Sequence, residues 1–351
     1  MPEAQTIAVI GAGIAGVTCA RTLAQAGHQV SLFDKSVGAG GRMATRESPF
    51  GGFDHGAQYF TVRDARFARA LQTVPGLCKP WSANTVRVLD EHGRITAAGL
   101  PPNEPHWVPT PGMNALVRNW AKPLTAAGAT HFGTRATRLQ SNGASTQRWT
   151  VHANHELAPD GHQHLAFDGF DRVVLALPSV QARELLQNSE LAARLVERIA
   201  GVQVAPCWTL MLAYPHAMQP GFSTLGPQWN AARSTHHRIA WLARESSKPA
   251  RDPVERWTVQ ASANWSAEHF ADDPLRVASK LQKAFAEVTG IRAEPAHAQV
   301  HRWAYAQTRV PLGQSHLWDA RSGIGVCGDW CIGHRVEDAF VSGLELALDM
   351  A

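Results

Sequence analysis

Thr6-Ile7-Ala8-Val9-Ile10-Gly11-Ala12-Gly13-Ile14-Ala15-Gly16, together with Val30-Ser31-Leu32-Phe33-Asp34, decides how this 351-residue chain is read. The first five residues, apolar after Thr6 and ended by glycine, suit a strand buried on both faces. From Ile14 to Ala26, Ala, Val and Leu recur at helical spacing, and Gly27 supplies the stop. Val30–Phe33 is then a second strand, which completes a β-α-β unit. In that setting Gly11, Gly13 and Gly16 form G-x-G-x-x-G. Gly11 permits the tight turn, Gly13 lets backbone amides approach a pyrophosphate, and Gly16 lets the helix pack on the strand with its dipole toward the anion. Asp34, roughly 20 residues on, is placed to accept hydrogen bonds from both hydroxyls of an adenosine ribose. The predicted ligand is a dinucleotide.

The same carboxylate repels a ribose phosphate, which disfavours NADP even though Lys35 follows directly. Between NAD and FAD, the deciding stretch is Gly38-Ala39-Gly40-Gly41-Arg42-Met43. A simple NAD dehydrogenase has no use for a second glycine-rich turn, whereas a longer dinucleotide does, with Arg42 supplying charge to a phosphate. Farther along, Pro111-Gly112-Met113-Asn114 precedes a predicted helix over Ala115–Leu124. Arg172 to Leu177 reads as a buried strand ended by Pro178, and Gly323 to Cys327 as a last strand, followed after a loop by a helix from Glu337 to the C-terminus. Asp329, after Gly328, is read as an acceptor for a ribityl hydroxyl. The last helix is expected to aim free N-terminal amides at a flavin pyrimidine ring. Residues 61–107 and 181–314 differ in texture, rich in Trp, Pro and His with strand-like alternation such as Trp257-Thr258-Val259-Gln260-Ala261. They are expected to form a substrate domain, with 1–60, 108–180 and 315–351 as a discontinuous cofactor domain. The polar stretch Asn154 to His164 is expected to be an exposed loop.

Composition narrows the function classes. Apolar residues make up 44% and charged residues 18%, which fits a compact enzyme rather than a disordered chain. The formal charge of +4 comes without a Lys/Arg block, so neither nucleic acid nor a membrane surface is an expected partner. Five cysteines form no CxxC pair, and Cys327 and Cys331 lack a matching pair of metal ligands, so reduced thiols and no metal are expected. The first strand begins close to Met1, leaving no room for a signal region, and no run of about 18 apolar residues is present. The expected location is the cytoplasm.

Taken together, GAGIAG at 11–16, Asp34, GGRMAT at 40–45, Asp54-His55-Gly56-Ala57-Gln58-Tyr59-Phe60-Thr61, Leu175-Ala176-Leu177-Pro178, CGDW at 327–330 and Glu337-Asp338-Ala339-Phe340-Val341-Ser342-Gly343 resemble the flavin amine oxidase superfamily. Within it they look most like renalase and its bacterial relatives. The resemblance implies an α/β fold, with a Rossmann-type FAD-binding domain of the glutathione reductase/amine oxidase kind and an α+β, mixed-sheet substrate domain. FAD would extend along the first domain with its ring at the boundary. It further implies that Gly11, Ala12, Gly13, Gly16, Asp34, Lys35, Gly41, Arg42 and Met43 contact the AMP and pyrophosphate parts, and that the backbone of Ala136 meets adenine. Ala57, Gln58 and Tyr59 would approach the flavin ring, and Asp329, Val336 and Glu337 its ribityl and pyrimidine side. One departure matters: Val310 to Ile324 contains no cysteine, where monoamine oxidases carry the one joined to flavin. Non-covalent FAD is therefore expected. An aromatic amine cage is also not evident.

On the substrate side, His301-Arg302-Trp303-Ala304-Tyr305-Ala306-Gln307 alternates as a strand does. By the same resemblance Trp303, Tyr305 and Gln307 are the candidates near the flavin, with Asn264 and Trp265 as a second patch. His55 is read as a structural hydrogen-bonder rather than a base. The implied reaction is oxidation of a small molecule, isomeric dihydronicotinamide dinucleotides, by hydride transfer to flavin N5, with molecular oxygen regenerating the cofactor and giving peroxide. The alternatives are an FAD-dependent amine oxidase or desaturase, or a non-catalytic dinucleotide-binding protein. Nothing in the sequence bears on oligomeric state.

Overall fold

The computed structural model describes residues 3–81, 86–97, 104–143, 148–156, 163–218, 227 and 229–351. The opening unit forms as its periodicities require: β1 at Thr6–Ile10, α1 at Ile14–Gln25 and β2 at Gln29–Asp34. β1 is the middle of a six-stranded sheet because it is apolar enough to be covered on both faces. It pairs in parallel with β2 on one side, Ile10 opposite Phe33, and with Arg172–Leu175 on the other, Ile10 opposite Leu175. Thr130–Phe132 lies beyond β2, Ile324–Val326 beyond Arg172–Leu175, and Leu317–Asp319 closes the far edge antiparallel. Since the chain leaves β1 first to one side and later fills the other, the strand order reverses at β1. That reversal opens a crevice at the carboxyl ends of the strands, where ligands of such sheets bind.

The C-terminal helix, Val336–Met350, lies against α1 at unusually short range. A Cβ on Gly343 would fall 2.1 Å from the carbonyl oxygen of Ala15, so only glycine allows this crossing. Around it, Val17, Leu23, Val117, Trp120 and Phe340 are buried in one apolar cluster with residues of helix Asn114–Ala126. Burial of each such side chain contributes roughly 1.5–3 kcal/mol.

The second sheet has seven strands in the order His297–Val310, Gln203–Tyr214, Glu255–Ala261, Ile239–Arg244, Ala231–Ser234, Val86–Leu89 and Ile95–Ala97. It is mixed, since Ala231–Ser234 runs parallel to Val86–Leu89 while the other neighbours are antiparallel. Helix Pro274–Thr289 packs on this sheet through Val277, Leu281, Phe285 and Val288. Its ends follow from sequence: Asp273 accepts from the Leu275 and Arg276 amides, Pro274 sits where no amide partner is needed, and Gly290 takes φ of 77°.

Two sequence expectations change. The polar stretch 154–164 is not simply a loop: Trp149–His155 and Gln163–Phe170 are strands of a three-stranded antiparallel sheet with Thr134–Ser141, and Asn154 is opposite His164. Residues 157–162 lie outside the described residues. Val151 and Ala153 point inward while His152 and Asn154 carry the solvated face, so the polarity of one face masks a strand. After the last strand, the expected loop contains a short helix, Asp329–Ile332.

Candidate active site

One cavity of about 1470 Å³ runs from the β1 turn to the second sheet. It exceeds the usual 300–1,000 Å³ of a pocket for one small ligand, and so has room for a dinucleotide and a substrate together. Gly11 and Gly13 line its first end. Gly11 has φ of 110°, and a Cβ there would meet the Ala176 carbonyl oxygen at 2.4 Å. Gly13 is the N-cap of α1, has no side-chain cap, and has open space where a Cβ would be. An anionic group can therefore approach the free amides of the first turn directly, which is the fit a dinucleotide pyrophosphate requires. Gly16 lies beneath, its would-be Cβ 1.8 Å from the Gly11 carbonyl oxygen. Its role is helix-to-strand packing.

Asp34 lines the cavity at the end of β2, and one of its oxygens accepts from the Ala12 amide at 2.7 Å while the other accepts from the Ser36 amide at 2.8 Å. Its remaining lone pairs are what a ribose would use. Ala12 is fully buried and lies outside the cavity wall, serving through that amide. The second glycine-rich turn packs on the first: the Gly40 amide donates to the Ala12 carbonyl at 2.9 Å, and a Cβ on Gly41 would stand 3.1 Å from Gly13 Cα. Lys35, Gly41, Met43 and Ala136 all line the cavity, Ala136 at a bulge of its strand.

One expectation is corrected, that for Glu337, and two site residues have partners that were not expected. Arg42 and Asp329, read as serving a phosphate and a ribityl hydroxyl separately, meet each other in a two-pronged pair of 2.5 and 3.0 Å at the cavity wall. Glu337 does not face the cavity; buried, it accepts from the Arg63 and Asp64 amides at 2.6 and 2.7 Å and so anchors the loop leading to Ala65–Leu71. The first turn of the C-terminal helix carries Glu337 and Asp338, and Asp338 accepts from the His334 and Arg335 amides just before the helix. Val336 does line the wall.

At the other end, Ala57, Gln58, Tyr59, Trp303, Tyr305, Gln307 and Asn264 reach the cavity together from separate parts of the chain. Trp303 donates from Nε1 to the His55 carbonyl at 2.9 Å and stacks on the His55 ring, centroids 5.0 Å apart. Trp265 belongs instead to the core under helix Pro274–Thr289, because it points away from Asn264 on the short helix Ala263–Glu268. His55 and His301 pack edge to face at 4.8 Å, and His301 Nδ1 lies 3.1 Å from the Arg46 guanidinium. Burial first, then the neighbouring His301 and Arg46, push the His55 imidazole down to about 3; burial and Arg46 push His301 down to about 4. Both rings are neutral at pH 7, in keeping with a structural role for His55.

That pair sets a pH dependence. With folded values below the ordinary 6.5, the unfolded chain binds more protons in the window between them, so stability is complete above pH about 6.5 and falls on acidification. The buried His55 ring adds a slope of up to about 1.4 kcal/mol per pH unit until its folded value is passed, and the half-buried His301, screened by solvent, adds less. Denaturant titrations at pH 7 and pH 5 are expected to show this loss, and His301→Gln is expected to reduce it; an unchanged pH slope in the variant would show that the ring titrates freely.

Sequence reading missed a charge cluster behind the flavin-side loop. Lys248, fully buried, donates to Asp54 at 3.1 Å, to Glu245 at 3.0 Å and to Gln58 Oε1 at 3.2 Å, and Arg251 adds a 2.8 Å contact to Asp54. Asp54 also accepts from Thr45 Oγ and the Met113 amide. Gln58 thereby has its orientation set from the second sheet. Asp54 stood within a recognised motif, yet nothing near Lys248 in sequence distinguishes it from a surface lysine.

Among the described residues no group of side chains is arranged to hold a metal ion, and no helix is long and apolar enough to cross a membrane. Residues 9–73 match the NAD(P)-binding Rossmann-like domain, and residues 102–351 match the family described as flavin containing amine oxidoreductase. The 4,4'-diapophytoene desaturase (4,4'-diaponeurosporene-forming) of Staphylococcus haemolyticus (strain JCSC1435) is 43% identical over 58 residues. That likeness covers 16% of this chain and only 12% of the desaturase. Whole-chain similarity is to solved structures at 12% identity. A protein of Exiguobacterium sp. 255-15 described as a protoporphyrinogen oxidase superposes with a TM-score of 0.73, and cyclohexylamine oxidase of Brevibacterium oxydans IH-35A with 0.72, each covering 99% of both chains. A putrescine oxidase bound to putrescine gives 0.67 over 99% of both chains. At that identity the likeness is one of fold.

Proposed function

This chain belongs to the flavin containing amine oxidoreductase family and is an FAD-dependent oxidoreductase, and from that premise we propose that it is an oxidase of renalase type. Its substrates would be isomeric dihydronicotinamide dinucleotides, with oxygen as final acceptor and peroxide as product. The observation that carries this reading is the cavity wall contributed by residues 181–314: it presents Trp241, Trp303, Tyr305, Gln260 and Gln307 with Arg233, Arg302, Arg309 and His301, and Glu184 is its one acid among the described residues. Three arginines against one carboxylate disfavour a cationic amine there.

In this reading residues 1–60, 108–180 and 315–351 carry the cofactor, and 61–107 and 181–314 shape the substrate side. The α1 N-terminus and Gly13 bind the diphosphate, Asp34 the ribose, and the Arg42–Asp329 pair the polar middle. Bound non-covalently, FAD supplies a two-electron acceptor at N5. Trp303, fixed through its indole N–H, and Tyr305 orient a flat donor, and Gln307 offers it a hydrogen bond. A dihydropyridine loses hydride through its own nitrogen lone pair and gains aromaticity, so no side chain has to take a proton. The neutral His55 and His301 fit that demand, and the protein acts by orientation and by excluding water.

The test is rapid-mixing flavin bleaching without oxygen. Isomeric dihydronicotinamide dinucleotides are expected to bleach the flavin quickly and saturably, while phenethylamine and polyamines do not, and acid precipitation is expected to release the flavin. Saturable bleaching by an amine with every dihydronicotinamide isomer inert would replace this reading with amine oxidation; ordinary NADH as best donor would make the protein a flavin reductase.

A further inference from the structure

Arg233 lies on strand Ala231–Ser234, directly opposite Trp241 on the antiparallel neighbour, so the two side chains leave the same face of the sheet. Both line the cavity. Arg233 is exposed and has neither an ion pair nor a hydrogen bond among the described residues. Beside it, Tyr59 joins two rings: its centroid is 5.8 Å from Trp241 and 3.9 Å from His106, on which it stacks. Two polar atoms of this cluster are buried without a partner, Trp241 Nε1 and His106 Nδ1, their residues 9% and 7% exposed. Burial first and the Arg233 charge second hold the His106 imidazole below its ordinary value, which places the guanidinium within electrostatic reach of that ring. The nearby Glu104 is already paired with Arg63.

A guanidinium at a cavity wall, with no carboxylate or other acceptor paired to it among the described residues, is a site suited to an anionic ligand. We propose that Arg233, with Trp241 and Tyr59 beside it on the cavity wall and His106 backing Tyr59, forms an anion subsite of the substrate region that takes a phosphoryl group of the donor, the Trp241 and Tyr59 rings meeting a flat part of the same molecule. Guanidinium and phosphate match in geometry as well as charge. The inference rests on the dinucleotide-donor reading, since such a donor carries a diphosphate. It adds the reason a fragment without phosphate would be a poor substrate.

Two measurements on the FAD-loaded protein separate this from the reading beneath it. Inorganic pyrophosphate binding by calorimetry needs no turnover: it is expected with the wild type, weakened about tenfold or more in Arg233→Met, and weakened less in Arg233→Lys, which keeps the charge but not the planar fork. Equal binding to wild type and Arg233→Met, or none to wild type, overturns the subsite whatever the donor proves to be. Anaerobic half-saturation is then compared for the riboside, mononucleotide, dinucleotide and 2'-phosphorylated dinucleotide forms of the dihydronicotinamide isomers. The expected result is a preference for phosphorylated donors that collapses about tenfold in Arg233→Met, the step on the ladder at which it collapses showing which phosphate is held. A preference that survives the substitution overturns the assignment to the donor. If no member of the ladder reduces the flavin while pyrophosphate binding still depends on Arg233, the donor reading fails and the anion site stands.

Discussion

Lys248→Met is expected to cost about 3–5 kcal/mol of stability, the largest effect of any single substitution considered for this chain. The ammonium lies with both its carboxylate partners at zero exposure, under the face of Trp81 at 5.5 Å, so no water can replace it. Burial alone would push the Asp54 carboxyl up, but the Lys248 and Arg251 charges, with the Met113 amide and Thr45 hydroxyl, hold it well below the usual range. Glu245 goes the other way: burial and the Asp54 charge raise it, and Lys248 only partly opposes them. Removing Lys248 therefore leaves Glu245 without its cation and Asp54 with Arg251 alone. Urea denaturation of the apoprotein measures the loss. Lys248→Met combined with Glu245→Gln is expected to recover part of it, because the second change removes the stranded charge. A loss below about 1 kcal/mol would mean that the cluster is hydrated and spends little on burial.

Gly56→Ala is expected to be the most damaging change to cofactor binding. Gly56 joins three parts of the site: a Cβ there would fall 2.0 Å from the Arg42 carbonyl oxygen and 3.4 Å from the Trp303 ring, and the Gly56 carbonyl accepts from Gln260 Nε2 at 2.7 Å. The neighbouring Ala57 amide donates to that same Arg42 carbonyl at 2.9 Å. The backbone of Arg42 cannot give way without moving the turn that rests on Gly13. The cost is about 1–3 kcal/mol of overpacking, concentrated on the cavity wall. Flavin fluorescence titration should show FAD affinity reduced about tenfold or more, with a smaller change in the melting temperature of the apoprotein. Unchanged affinity would show that the two loops slide apart freely.

What could be read in advance follows a physical divide. The β-α-β unit was legible because its signals are local: Gly11 needs φ of 110°, Gly16 has a carbonyl oxygen where a side chain would be, and the buried strand runs are continuous. The placement of Trp303, Tyr305 and Gln307 at the cavity rested on resemblance, since alternation along a strand says which residues share a face but not what that face meets. Trp265 shows the limit, for it stands next to Asn264 in sequence and in a different core in space.

By itself the sequence determined the dinucleotide turn, the two glycine-rich segments and the α/β class, all of which depend on backbone conformation within a few residues. Only the tertiary structure decided how charges are partnered. Arg42 meets Asp329 across 287 positions, Lys248 meets Asp54 across 194, and Glu337 turns to the Arg63 and Asp64 amides. A charged side chain looks the same in sequence whether it faces water, a ligand or an opposite charge in the core. Its cost and its role come from desolvation and from the distance to its partner, and both are fixed only once distant segments have packed.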